Sequence, residues 1–167
     1  MAFKDEAYKT GCGRYIQRAG ALELCGTESA RLGAKKVLIL GGKTALSLTR
    51  DKITASLAAA GIGWEEAVHT GLCCRVFAQQ YLEQAQQTGC SLILGVGGGT
   101  VLDLAKITAA MGGLPVICIP TSAATCAASL PGSQRSSASR NATYLPRAMA
   151  TARLRLPAAP MFFSLVT

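Results

Sequence analysis

The sequence predicts an α/β fold, a Rossmann-like parallel sheet with helices on both faces. Three observations predict it. Residues 36–40 (KVLIL), 92–96 (LILGV) and 114–119 (LPVICI) are apolar on both faces, the pattern of strands buried in a parallel sheet. Each run ends in small or hydroxyl residues: Gly41 to Thr44, Gly97 to Thr100, and Pro120 to Thr125. Stretches of helical periodicity closed by glycine separate the runs, the alternation from which a doubly wound sheet is built.

Taken in order, residues 1–10 are polar and expected to fray. Residues 13–20 (GRYIQRAG) alternate enough for a short strand. Residues 21–32 read as a helix with Leu22, Leu24, Cys25 and Leu32 inward and Gly33 as its stop. After the strand at 36–40, a helix runs from Thr44 to about Ala60. It has Leu46, Ile53 and Leu57 on its inner face, Arg50, Asp51 and Lys52 outside, and Gly61 at its end. Residues 62–68 form a third strand with Glu65 and Glu66 near its end, 69–74 a loop, and 76–88 a glutamine-rich helix stopped by Gly89. The strand ending at Val96 is followed by a helix over 101–111, closed by Gly112 and Gly113, and then by the strand at 114–119.

The central stretch is 92–105, LILGVGGGTVLDLA. Three consecutive glycines, Gly97, Gly98 and Gly99, follow a buried strand and precede a helix that opens with Thr100 and carries Asp103 in its first turn. Glycines there let the backbone approach a ligand without a Cβ in the way. The free N–H groups of a helix start favour an anion such as a pyrophosphate. The spacing GxGxxT (Gly95, Gly97, Thr100) nearly matches the dinucleotide fingerprint, and taken alone it also fits a tight turn with no ligand. The convergence of three such loops along one sheet edge is the stronger sign of a nucleotide site. Thr121, Ser122 and Thr125, taken singly, fit ordinary helix capping equally well.

Composition narrows the classes. A chain of 167 residues, 50% hydrophobic and 5% aromatic, has room for one domain and an appendage. No apolar run reaches the length of a membrane span and no secretory leader opens the chain, so a cytoplasmic location is the expectation. Seven cysteines without a CxxC pair read as free thiols in a reducing compartment. The single histidine, His69, reads as structural, and a site with several histidine ligands cannot be built here.

The formal charge of +8 is unevenly spread. Residues 1–128 hold twelve Lys or Arg against nine Asp or Glu, whereas residues 129–167 hold five Arg and neither Lys nor acid. The strand and helix alternation also stops at 128. A short basic helix at 148–156 and a small apolar end at 161–166 are all the periodicity that follows. The expected division is therefore an α/β domain at 1–128 and a basic, acid-free tail at 129–167. Two readings of the tail stand side by side, a disordered segment and a stretch read out of frame, and we favour the second.

The stretches GRYIQRAG, VLILGGKTAL, GVGGGTVLDLAK and GLPVICIPTSAATCAA together resemble the iron-containing (group III) alcohol dehydrogenase superfamily, in its glycerol dehydrogenase-like branch. The match covers residues 14–128, most of the N-terminal domain of that family's dehydroquinate synthase-like fold. The resemblance implies an NAD-binding domain. Gly97, Gly98, Gly99, Thr100, Val101 and Asp103 would line the pyrophosphate loop, and Thr121, Ser122 and Ala124 would meet the nicotinamide side. Gly42 stands where many relatives carry a ribose-binding acid, which leaves NAD and NADP both open. Cys126 stands where glycerol dehydrogenases carry an aspartate that meets the polyol; relatives with TCAA here look closer to hydroxy-acid dehydrogenases.

The family's divalent metal, Zn or Fe, is held by an aspartate and histidines of a following helical domain. Asp103 is the last acid here and no histidine follows it, so the ligands and the helical metal-binding domain are absent from this sequence. The resemblance thus implies the cofactor-binding part of an NAD-dependent, metal-dependent alcohol, polyol or hydroxy-acid oxidoreductase, truncated and inactive by itself. The intact enzyme would take a small-molecule substrate, form homo-oligomers and engage neither membrane nor nucleic acid. The alternative is a non-catalytic nucleotide-binding module with a basic tail for a partner or nucleic acid, although the tail has few aromatics for stacking on bases. A lyase-type relative of dehydroquinate synthase would need the same missing metal domain.

Overall fold

The computed structural model describes residues 14–17, 19–121 and 161–164. Among these described residues, six strands form one all-parallel sheet: β1 (Arg14–Gln17), β2 (Lys36–Gly41), β3 (Gly63–Val68), β4 (Leu92–Gly97), β5 (Val116–Pro120) and β6 (Met161–Ser164). Their spatial order is β1-β6-β5-β4-β2-β3. Four helices cover the sheet: α1 (Cys25–Arg31), α2 (Lys43–Ala59), α3 (Arg75–Gln87) and α4 (Gly99–Gly112).

Alternation along the strands sorts the apolar side chains into two cores. Val37 and Ile39 of β2 with Leu92, Leu94 and Val96 of β4 meet Cys25 of α1 and Ile53 and Leu57 of α2. On the other face, Leu38, Leu40, Ile93 and Cys118 meet Ala78 and Ala85 of α3 and Leu102, Leu104 and Ala105 of α4. β2 and β4 are thus covered on both faces, as their continuous apolar runs require. The expected inner face of α2 is the buried one, with Arg50, Asp51 and Lys52 exposed.

Several boundaries differ from expectation. The helix expected at 21–32 is a 3-10 turn (Ala21–Leu24) running into α1. The cause lies in α2: the Ser56 hydroxyl donates to the Glu23 carbonyl at 2.7 Å and accepts from the Gly26 amide at 2.9 Å, which pulls two backbone groups out of a continuous α-helical ladder. The central helix begins at Gly99 rather than 101, so Asp103 does not lie in its first turn. Glycine at a helix start costs little, and both Gly98 and Gly99 are absorbed into the cap and first residue.

The larger difference is in the segment assigned to a tail. Residues 161–164 form β6, which lies between β1 and β5, with Cys118 opposite Phe162 and Gln17 opposite Ser164. Without that strand β1 would have no neighbour in the sheet. The run MFFSLV after Pro160 has the apolar and aromatic content of a strand, which the basic stretch before it obscures. The basic helix expected at 148–156 lies outside the described residues.

Candidate functional site

β2 and β4 are neighbours, with Gly41 opposite Val96, yet their following helices leave toward opposite faces, α2 joining α1 and α4 joining α3. This divergence is the topological switch point of an open parallel sheet, where the loops part and leave a crevice at the strands' carboxyl ends. The strand ends are level: Gly41 pairs with Val68 and Val96, and Gly97 with Pro120. Backbone bonds tie the loops across that edge. The Gly42 amide donates to the Val96 carbonyl at 3.2 Å, the His69 amide to Gly41 at 2.9 Å, and the Thr121 amide to Gly97 at 3.1 Å.

The residues expected at the site fall in different places. Gly42, Gly97, Gly98, Gly99, Thr100 and Val101 gather at this crevice. Gly97 has φ +152°, and a Cβ there would stand 3.3 Å from Cβ of Val101. A Cβ on Gly98 would meet nothing within 4 Å, and one on Gly42 only Val101 Cγ2 at 3.9 Å. Val101, 9% exposed, is therefore a floor beneath both glycine turns. Thr100 and Thr121 are exposed at the rim. Asp103 lies one turn further along α4, and Ser122, Ala124 and Cys126 lie outside the described residues.

Two helix starts face this crevice without a side-chain cap. Gly98 caps α4 and Gly42 caps α2, both in extended backbone, and neither offers a side-chain acceptor to the first N–H groups. Those amides have free capacity for an anion. Just below, Gly95 lets α4 lie directly on β4, since a Cβ there would be 2.6 Å from that of Ala105. The glycines of GVGGG thus serve two ends, close helix packing at Gly95 and an open turn at Gly97 and Gly98. An NAD-type pyrophosphate fits this arrangement: open space above Gly98, donors at the α4 start and no side chain between.

The neighbouring loop holds the single histidine, whose Nε2 is buried without a hydrogen-bond partner among the described residues. His69 is 4% exposed, with Nδ1 3.1 Å from the Tyr81 hydroxyl and its ring edge-on to Phe77 at 5.0 Å. The five described cysteines are free thiols. Burial pushes the Cys25 thiol up to about 12; burial and then the charge of Asp103 push Cys73 up to about 11. Neither has thiolate character at neutral pH. Among the described residues no three His, Cys, Asp or Glu side chains are grouped as metal ligands. The metal implied by the resemblance therefore has no fitting donor set among those residues. No helix among the described residues is long and apolar enough to cross a membrane. One residue of α4 was absent from the expected set: Lys106, a buried lysine two turns from the helix start.

Fold and crevice together define a Rossmann-like α/β unit of the kind that receives nucleotides at a switch point. Over residues 12–147 the chain matches the model of the iron-containing alcohol dehydrogenases, and it belongs to that family. The match reaches nineteen residues past Ala128. Glycerol dehydrogenase of Pseudomonas putida is 36% identical over 113 residues, covering 68% of this chain and 31% of that protein. Hydroxycarboxylate dehydrogenase A of Escherichia coli K12 is 36% identical over 90 residues, covering 54% and 24%. The crystal structure of glycerol dehydrogenase from Schizosaccharomyces pombe superposes with a TM-score of 0.73 at 25% identity, covering 93% of this chain and 37% of that one. The matches thus span from about a quarter to somewhat over a third of the length of these relatives.

Proposed function

We propose that this chain is the cofactor-binding part of an alcohol, polyol or hydroxy-acid oxidoreductase and that it binds NAD(H) at the β2–β4 crevice. The observation that carries the reading is the pair of uncapped helix starts, on opposite faces, flanking an open glycine turn. The α4 amides would take the pyrophosphate, and Gly42 and Val101 would leave room for the adenosine half. Thr121, with Ser122 and Ala124 beyond it, would meet the nicotinamide half. When bound, the nicotinamide supplies a hydride acceptor. What this chain contributes is orientation: the glycine turn fixes the diphosphate, and the β5 loop sets which ring face is presented.

Substrate chemistry belongs to parts of the family fold that these residues do not supply. Cys126 in place of a polyol-binding aspartate favours a hydroxy acid over glycerol as the intact enzyme's substrate. We read residues 1–128 as the functional unit, with 161–164 as its closing strand. The test is calorimetric titration of the full chain with NADH, alongside an assay with NAD and either glycerol or a 2-hydroxy acid. Saturable binding without turnover is expected. A folded chain that ignores NADH would contradict the reading. Binding to RNA that weakens with salt, in a chain that ignores NADH, would favour a nucleic-acid module instead.

A further inference from the structure

One charge on the helix that opens at this crevice opposes the anion its first amides would receive. Asp103 stands one turn into α4, on the helix whose first amides face the crevice, and its side chain keeps 25% exposure. Carboxylate and phosphate oxygens both only accept hydrogen bonds, so this group cannot hold a pyrophosphate and repels it. Its field reaches its surroundings, adding to burial in raising the Cys73 thiol. The counter-charge is Lys106, three residues on, with Nζ 3.5 Å from the Asp103 carboxylate. Lys106 is 7% exposed, and an ammonium is kept that far from water only where a charge or hydrogen-bond acceptors compensate it. An apolar side chain in its place would suit the rest of VLDLAKITAA, so its cationic head is the feature to explain.

We propose that Lys106 is a positioning residue for diphosphate binding: it neutralises Asp103, so that the start of α4 presents a net positive end to a nucleotide. The inference rests on the nucleotide reading above. A purely structural lysine would affect every ligand of the crevice alike, whereas a charge-compensating one affects only the anionic ones. Adenosine and ADP separate the two cases, since they differ only in the diphosphate.

The experiment is titration of the full chain with ADP and, separately, adenosine at low ionic strength, where exposed charge is least screened. Lys106→Met is expected to weaken ADP on the order of tenfold and leave adenosine unchanged. Adding Asp103→Asn to Lys106→Met should restore ADP, and Lys106→Arg, which keeps the charge, should bind as the unsubstituted chain does. Equal weakening of both ligands, unchanged ADP affinity in Lys106→Met, or a double variant that stays weak would overturn the proposal. Should Lys106→Met fail to fold, Asp103→Asn alone decides: it must bind ADP at least as tightly as the unsubstituted chain, and a loss overturns the inference. If the unsubstituted chain binds neither ligand, the nucleotide reading itself falls, a result distinct from any failure at Lys106.

Discussion

Gly97 joins strand to helix in a backbone conformation that side chains disfavour, with Val101 only 3.3 Å from where a Cβ would stand. Gly97→Ala is therefore expected to cost about 1–3 kcal/mol of stability, measured by urea denaturation. Cys25 gives a prediction of a different kind. Its thiol titrates near 12 when folded, against an ordinary value of 9.0. The folded state holds this proton more tightly than the unfolded chain does. The resulting stability is complete below pH 9 and declines as pH rises from 9 toward 12. Cys25→Ala should flatten that alkaline decline in a series of melts, and an unchanged slope would show that the thiol does not contribute.

Among the elements, α4 and β4 depend on each other most closely. Gly95 faces Ala105 so directly that a Cβ would approach to 2.6 Å. Gly95→Ala should force α4 off the strand and destabilise by roughly 1–3 kcal/mol. Ala105→Gly in the same chain should recover part of that loss in the same denaturation series. By contrast, Arg50, which donates to both carboxylate oxygens of Glu66 at 2.8 and 2.9 Å, sits on an exposed helix face, and Arg50→Ala should shift stability by less than about 1 kcal/mol.

These elements were legible in the sequence because their signals are local. β2, β4 and β5 are apolar on both faces, and Gly33, Gly61, Gly89 and Gly113 end the helices where expected, each with positive φ. The break between the 3-10 turn and α1 was not legible, because its cause is Ser56, some thirty residues away on another helix. At the site, the glycine turn follows from GVGGGTV, whereas the Val101 floor and the pairing of Asp103 with Lys106 appear only once helix register and burial are known.

For the whole molecule, the main departure is β6. Charge and composition set residues 129–167 apart, yet four of them lie within the sheet. Strand pairing between distant segments leaves little trace in composition. Removing residues 159–167 should leave β1 held mainly by contacts such as the 3.1 Å Arg14–Glu28 ion pair. Amide exchange over residues 14–17 should then accelerate well beyond that of β2 and β4, measured by mass spectrometry. Unchanged protection would mean that β1 docks without its neighbour.

The central claim is that the open turn above Gly98 is where a dinucleotide lies. Gly98 has φ −83°, and a Cβ on it meets nothing within 4 Å, so the backbone accepts a side chain there, and Gly98→Val would fill the proposed cradle. The decisive measurement is NADH affinity of the full chain and of Gly98→Val, with a thermal melt of each. Saturable binding by the unsubstituted chain is expected, with a loss of at least tenfold in affinity on substitution and a melt lowered only by the modest cost of valine at a helix N-cap. Equal affinity in the two chains, with both folded, would contradict that claim.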